Sequence, residues 1–375
     1  MTFSELKIIK PLVAALNNLN YHQPTPIQQQ AIPHILNGSD IFGCAQTGTG
    51  KTAAFSLPIL QLLSAKQRGE RRKVKALILA PTRELTMQIS ENMRSYSKGL
   101  NIFHTTVFGG VSQHQQVKEL QRGTDILIAT PGRLLDLMQQ GYADLSGIEF
   151  FVLDEADRML DMGFINDIKK IIAKLPSKKQ TLFFSATAAP DIMKLANTLL
   201  KDPVKVSVDP VSSSSGLISQ QVFYVSKENK RLLLQYLLKD NKIEHALVFT
   251  RTKRGADRVA KDLSGSGINA AAIHGNKSQS ARTKALKGFK DRSIRVLVAT
   301  DIASRGIDVD KLSHVINFEM PEQAETYVHR IGRTGRAGSH GIALSLCTRE
   351  EMPYLKDINK LIRKNIEVVG KHPFA

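Results

Sequence analysis

A turn that binds phosphate needs glycines, free backbone N–H groups and a lysine at a fixed remove, and the stretch AQTGTGKT, residues 45–52, supplies all three. Gly48 and Gly50 allow the backbone to aim its N–H groups at phosphate oxygens, and a following helix adds its positive N-terminal end. Lys51 is spaced to reach β and γ phosphates, and Thr52 offers a hydroxyl to Mg²⁺. Ala45 stands where the Gly-x-x-x-x-Gly-Lys-Thr pattern begins with glycine. A methyl group there costs little if the backbone keeps a negative φ. By itself the stretch also reads as a flexible turn.

A second constellation lies in FFVLDEADRML, where an apolar run delivers Asp154 and Glu155 at its C-terminal end. Carboxylates at the carboxyl ends of strands face the crevice in which α/β sheets bind ligands. Asp154 is placed to hold Mg²⁺, directly or through water, and Glu155 to orient and deprotonate an attacking water. Taken alone, the acids read equally as a helix N-terminus with Asp154 or Asp157 capping; joined to Lys51, they read as catalytic. A third stretch, HRIGRTGRAG at 329–338, offers Arg330, Arg333 and Arg336 among glycines. Planar guanidinium groups can stabilise charge on a departing phosphoryl group, and a solvated basic turn is the alternative. Fingers in one half and a phosphate loop in the other would tie hydrolysis to domain closure.

These residues need a scaffold that holds loops along one edge. Short β-rich runs (KALILA, DILIAT, FFVLDE, TLFFSAT) alternate with helical patterns such as RELTMQISENM and INDIKKIIAKL, as in a parallel sheet covered by helices. The alternation stops at VSVDPVSSSSGLIS and restarts with QQVFYVS, HALVFT, AAAIHG, RVLVAT and HVINFEM. The expected organisation is an α/β fold of two tandem RecA-like domains, residues 1–208 and 218–375, joined by a Ser-rich linker at 209–217. An internal echo supports the split: LILAPTR at Leu77 and LVFTRTK at Leu247 are 170 apart, as are ILIAT at Ile126 and VLVAT at Val296. The echo fits two copies of one nucleotide-binding fold, although buried apolar strands also resemble one another by chance.

Composition narrows the class further. With 375 residues and 42% hydrophobic content the chain can build two cores. Lys and Arg number 52 against 34 Asp and Glu, a formal charge of +18 that points to a polyanionic partner, nucleic acid ahead of membrane. Two cysteines, Cys44 and Cys347, make neither a disulfide framework nor a zinc site; both read as buried small apolar residues in a reducing compartment. No apolar run approaches the roughly 20 residues of a membrane helix, and MTFSELKIIK lacks a signal design, so a soluble cytoplasmic protein is expected.

In chain order, PTPIQ, AQTGTGKT, PTREL, FGG, TPGR, DEAD, SAT, LVFTRTK, ATDIASRGID and HRIGRTGRAG closely resemble the DEAD-box ATP-dependent RNA helicases of superfamily 2. The opening sequence and PTPIQQQAIP look most like the bacterial RhlE-like branch. The resemblance implies ATP and Mg²⁺ as cofactors, with Thr52 and Asp154 at the metal. It implies adenine stacking on Tyr21, edge reading by Gln28 and support from Phe3. The phosphate cradle then comprises Ala45, Gln46, Thr47, Gly48, Thr49, Gly50, Lys51 and Thr52, and Gly306 and Asp308 contact the nucleotide from the second domain. Asn20 replaces the family's usual glycine, and asparagine tolerates left-handed backbone better than most residues. Arg333 and Arg336 match the arginine fingers, and Ser185, Thr187, His329 and Arg330 match positions that couple the phosphate site to unwinding.

The same resemblance implies RNA contacts at Pro81, Thr82, Arg83, Gly109, Gly110, Thr130, Pro131, Gly132 and Arg133 in the first half. In the second half they are Thr250, Arg251, His274, Gly275, Gln279, Arg282, Thr300 and Asp301. Such contacts go to backbone and sugar hydroxyls, so low sequence specificity and a preference for RNA follow. The implied function is an RNA-dependent ATPase with a monomeric core that clamps single-stranded RNA between two domains, unwinds short duplexes and remodels RNA–protein complexes. The alternatives are an ATP-gated clamp with little unwinding and, from another enzyme class, a phosphate-loop kinase. The kinase would have no use for the repeated half or for TPGR and PTREL.

Overall fold

The computed structural model describes residues 1–46, 48–65, 72–208, 218–239, 243–301, 312–335 and 340–374. The chain divides into two units, Met1–Val208 and Asp209–Ala375. The linker expected at 209–217 lies outside the described residues.

In the first unit, strands β1 (Ile41–Cys44), β2 (Ala76–Leu79), β3 (His104–Val107), β4 (Ile126–Ala129), β5 (Phe150–Leu153), β6 (Gln180–Ser185) and β7 (Val204–Ser207) form one sheet in the order β3-β4-β2-β5-β6-β1-β7. Every pairing is parallel. Alternation along the strands fills both faces: Ile78, Ile128, Val152 and Phe184 enter one apolar cluster, and Leu79, Leu127, Leu153 and Phe183 the other. Burial on both faces explains why these strands are apolar throughout. Phe151, Phe183 and Phe184 are fully buried, each side chain stabilising the fold by about 1.5–3 kcal/mol.

In the second unit, β8 (Ile218–Tyr224), β9 (Ala246–Thr250), β10 (Ala270–Ile273), β11 (Val296–Thr300), β12 (His314–Asn317), β13 (Gly341–Cys347) and β14 (Glu367–Val368) pair in the order β10-β11-β9-β12-β13-β8-β14. This is the order of the first sheet with every strand advanced by seven. The echo reappears as register: Ala76 pairs with Ile126 and Ala246 with Val296, each partner 170 residues further on. The two halves are therefore built on one plan, and the likeness of their strands is not chance.

Cys347 is buried as expected, whereas Cys44 is only partly so, because it ends β1 where the loop turns outward. Its Sγ lies 3.8 Å from the Ala186 carbonyl oxygen. Among the described residues, no helix is long and apolar enough to cross a membrane.

Candidate nucleotide site and motif edges

All strands of a parallel sheet end on one edge, so the segments after β1 to β6 share a rim. These are AQTGTGKT, PTR, FGG, TPGR, DEAD and SAT, in that order. Motifs scattered over 140 residues thus gather along one line.

Ala45 has no left-handed backbone and is 1% exposed, its methyl buried in the apolar cluster, so the missing glycine carries no strain. Its N–H donates to the Ser185 carbonyl at 2.9 Å. Gly48 and Gly50 have φ of +87° and +94°, values costly for residues with a Cβ. Gly50 caps the helix α3 (Lys51–Ser64). A Cβ on Gly50 would also collide with Gln28 Nε2, so backbone angle and space both demand glycine. Lys51 is 6% exposed, with Nζ 2.5 Å from the Ala45 carbonyl, inside the curl of the loop. Thr49 Oγ1 donates to the Gln46 carbonyl at 2.7 Å, and Thr52 is partly buried in the first turn of α3. Thr47 lies outside the described residues.

Gln28 is 3% exposed and joins two elements. It sits in the first turn of α2 (Pro26–Leu36), where its Oε1 accepts the Thr25 N–H at 3.0 Å. Its Nε2 donates to the Gly50 carbonyl at 3.1 Å, so helix capping and contact with the phosphate loop coexist in one amide. Phe3 is buried in the core, Tyr21 keeps 45% of its surface exposed, and Asn20 adopts φ +60° as its chemistry allows.

At the end of β5 the Asp154 N–H donates to the Leu79 carbonyl at 2.9 Å, leaving the side chain 2% exposed. Its Oδ1 has no hydrogen-bond partner among the described residues. Burial pushes the Asp154 carboxyl well up, Lys51 opposes this and Glu155 adds to it. A buried, unsatisfied carboxylate oxygen costs about 1–3 kcal/mol and calls for a cation, and its hard oxygen suits a cation such as Mg²⁺. Glu155 is left-handed, φ +56° and ψ +51°, an unusual state for a side chain of this size and one concentrated at functional turns. Its Oε2 accepts from Arg158 Nη1 at 2.6 Å, with both residues 3% exposed.

Asp157 completes the turn. Its Oδ1 accepts the Arg158 N–H at 3.0 Å and its Oδ2 accepts the Ala186 N–H at 3.1 Å, tying the DEAD segment to SAT. Ser185 is fully buried, and its Oγ accepts the Thr187 N–H at 3.3 Å. Sequence reasoning read Asp157 only as a cap and did not mark Arg158. The i to i+3 spacing of Glu155 and Arg158 could have shown their pairing, whereas the 29-residue span from Asp157 to Ala186 could not.

Further along the rim, Thr82 Oγ1 accepts the Leu85 N–H at 3.3 Å to cap the helix α4 (Arg83–Tyr96) behind the buried Pro81. The Arg83 guanidinium lies over Gly110, whose φ is +75° and where a Cβ would strike it, with Gly109 alongside. Thr130, Pro131 and Gly132 open the helix α6 (Pro131–Gln139), and Arg133 Nη2 donates to the Val111 carbonyl at 3.1 Å.

The second sheet has a matching rim. Arg330, 1% exposed on the helix Ala324–Ile331, donates Nε and Nη2 to the two Asp301 oxygens at 2.6 and 2.8 Å. Its Nη1 donates to Asn317 Oδ1 at 3.1 Å and to the Glu319 carbonyl at 2.7 Å. The Asp301 carboxylate, expected to meet RNA, is thus engaged by Arg330, with Thr300 buried beside it. Arg251 follows the fully buried Thr250; its N–H donates to Glu319 Oε2 at 2.7 Å and its Nη2 to Glu351 Oε1 at 2.9 Å. Glu351 is 2% exposed and also accepts Lys230 Nζ at 2.5 Å. Sequence reasoning passed over Lys230, Glu319 and Glu351, which brace these rim residues from far along the chain.

His274, 2% exposed, has Nε2 3.0 Å from Asp257 Oδ2, and its Nδ1 accepts the Asn276 N–H at 3.3 Å. Gly275 lies next to it, exposed, and Gln279 and Arg282 occupy the first turn of the helix Gln279–Lys290. Arg333 is 5% exposed and its Nε donates to the His329 carbonyl at 3.3 Å. Gly306, Asp308 and Arg336 lie outside the described residues.

Known proteins bear on this geometry. Residues 25–195 match the DEAD/DEAH box helicase family, and residues 228–338 the helicase conserved C-terminal domain. The chain is 41% identical over 363 residues to the ATP-dependent RNA helicase CshA of Limosilactobacillus reuteri, covering 97% of this chain and 72% of that protein. It is 42% identical over 368 residues to the RNA helicase CrhR of Synechocystis, covering 98% and 74%. Among solved structures, Dbp5 of S. cerevisiae bound to RNA and ADP BeF3 superposes with a TM-score of 0.87 at 29% identity, covering 98% of this chain and 95% of that one. A phosphate loop closed by Gln28, a DEAD turn tied to SAT and a repeated seven-stranded parallel sheet accord with these likenesses, and the chain belongs to the DEAD/DEAH box helicase family.

Proposed function

We propose that the chain is an RNA-dependent ATPase and ATP-dependent RNA helicase that clamps single-stranded RNA between its two domains and locally unwinds short duplexes. The reading rests on Lys51 and the DEAD carboxylates being buried together at the end of one sheet, where burial raises the Asp154 carboxyl and the nearby Lys51 charge opposes that rise. The relatives named ATP-dependent RNA helicase and the RNA-bound neighbour support RNA as the partner. In this reading residues 1–208 are the ATP-binding domain, 209–217 the linker and 218–375 the C-terminal helicase domain. The RhlE-like branch is supported by the opening sequence alone. The cytoplasm is proposed as the compartment, in keeping with two free cysteines.

ATP, when bound, supplies the phosphoanhydride that is cleaved. Lys51 and the N–H groups of the loop hold its phosphates, Gly48 and Gly50 letting the backbone come close. Tyr21, Phe3 and Gln28 form the base end, with Gln28 connecting it to the loop through Gly50. Thr52 and Asp154 hold Mg²⁺, for which the unsatisfied Asp154 Oδ1 is the fitting ligand. Glu155, presented from its left-handed turn and braced by Arg158, takes the proton of the attacking water. Arg333 and Arg336 stabilise the developing charge, Gly306 and Asp308 contact the nucleotide, and Ser185, Thr187, His329 and Arg330 transmit its state to the RNA rims. Pro81 to Arg83, Gly109, Gly110 and Thr130 to Arg133 form one rim; Thr250, Arg251, His274, Gly275, Gln279, Arg282, Thr300 and Asp301 form the other.

The deciding experiment is steady-state ATP hydrolysis with single-stranded RNA, with matched DNA and with neither, using Glu155→Gln as the blank. Strong stimulation by RNA alone is expected, with Glu155→Gln binding ATP but losing turnover at least about 100-fold. Hydrolysis indifferent to both nucleic acids would remove the RNA assignments.

A further inference from the structure

The helix Met352–Ile362 begins beside Glu351, on the motif rim of the second unit, and runs away from it. Its far end carries a groove of about 350 Å³ lined by Lys356, Asn359, Lys360, Arg363, Lys364 and Asn365. Lys356 and Lys360 stand one helical turn apart, roughly 6 Å, while Arg363 at the C-cap and Lys364 in the turn beyond continue the line of cations along the same groove. All four are exposed, and among the described residues none has an ion-pair partner. The helix's own carboxylate, Asp357, is not among the residues that line the groove. Arg363 takes a left-handed C-cap, φ +53°, and Asn359 Oδ1 accepts the Ile366 N–H at 3.3 Å, so the turn that frames the groove is held by the fold.

A helix C-terminus presents only about half a negative charge, which one lysine offsets. Four unpaired cations exceed that need and repel one another. A regular polyanion relieves the repulsion, and phosphates repeating along a strand match a stripe of cations better than isolated carboxylates do.

We propose that this stripe is a second RNA-binding surface of the C-terminal unit, lying off the motif rim and gripping the phosphate backbone of a duplex or of RNA flanking the strand held at the rim. The inference rests on the reading of the protein as an RNA helicase and extends it: the stripe binds structured RNA without reading sequence and keeps substrate tethered while the motif site opens and closes.

The test compares the wild type with a Lys356→Gln, Lys360→Gln, Lys364→Gln variant, all three exposed lysines outside the proposed ATP and rim sites. The probes are a short single-stranded RNA and the same strand extended by a hairpin, with affinity measured across a salt series. For the extended RNA the variant is expected to bind about tenfold or more weakly at low salt, its log–log salt slope shallower by about 3. Affinity for the short strand and the ATPase activity it stimulates should be unchanged. Unchanged affinity and slope for the extended RNA would overturn the proposal. So would an equal loss on both probes, which would place the lysines in the motif site. If the wild type binds the extended RNA but its ATPase ignores the short strand, the catalytic reading fails while the stripe still stands or falls on its own slope.

Discussion

Asp157 Oδ2 accepts the backbone N–H of Ala186 at 3.1 Å, joining the turn after β5 to the turn after β6. The carboxylate is 7% exposed, and its other oxygen holds the Arg158 N–H, so both oxygens anchor backbone. A shift at either turn therefore moves the other.

Asp157→Ala removes the acceptors of the buried Arg158 N–H and the partly buried Ala186 N–H, and the buried one alone costs about 1–3 kcal/mol. The first unit should unfold at lower urea concentration. In the folded variant unwinding should fall more than RNA-stimulated ATPase, because the link between the turns is lost while Lys51 and Glu155 remain. Parallel loss of both activities would show that Asp157 only supports the site.

Gln28→Glu separates the two roles of that side chain. A carboxylate still accepts the Thr25 N–H but cannot donate to the Gly50 carbonyl. It also brings negative charge to the phosphate loop. ATP affinity measured by calorimetry should fall about tenfold, roughly 1.4 kcal/mol, and the first unit should melt at a lower temperature, because a buried carboxylate oxygen then faces the Gly50 carbonyl. Unaltered affinity would mean that the Gln28–Gly50 contact does not shape the loop.

Lys230 and Glu351 form a pair with both side chains almost fully buried, 2.5 Å apart. Burial lowers the Lys230 pKa, and the Glu351 charge opposes that shift. Glu351→Gln leaves the buried Lys230 without its countercharge and should destabilise the second unit by about 3–5 kcal/mol, and Lys230→Met should cost less, because Glu351 keeps the Arg251 guanidinium. The double variant should cost clearly less than the sum. Additive costs in a denaturant cycle would show that the residues do not stabilise one another.

His245 is 4% exposed, its ring centroid 3.9 Å from that of Phe289 with the planes tilted by 34°, and neither ring nitrogen has a hydrogen-bond partner among the described residues. Burial lowers its pKa below the ordinary histidine value of 6.5. The unfolded chain therefore takes up a proton first as the pH falls. Stability from the neutral ring is complete above about pH 6.5 and declines below it until the folded-state histidine itself protonates. His104 in the first unit shifts in the same direction, also through burial. Urea midpoints for the second unit should drop from pH 7 to 5 in the wild type and drop less in His245→Gln. Equal slopes would remove His245 as the cause.

Local chemistry was sufficient for much of this molecule. Glycines that need positive φ at 48 and 50, apolar strands ending in Asp154 and Glu155, and a repeat of 170 residues are all written in short stretches, and the folded chain keeps each of them. Periodicity announces strands because parallel strands are buried on both faces, and turn residues announce loops because few others tolerate the angles. The tertiary structure alone decided which side chains meet. Gln28 bonds Gly50 across 22 residues, Asp157 reaches Ala186 across 29, Arg330 closes on Asp301 across 29, and Glu351 spans 100 residues to Arg251. Those pairs depend on strand order, which brings distant loop ends to one rim. No local pattern carries that information, because a carboxylate looks the same in sequence whether one of its oxygens lacks a partner among the described residues, as at Asp154, or both are engaged, as at Asp301.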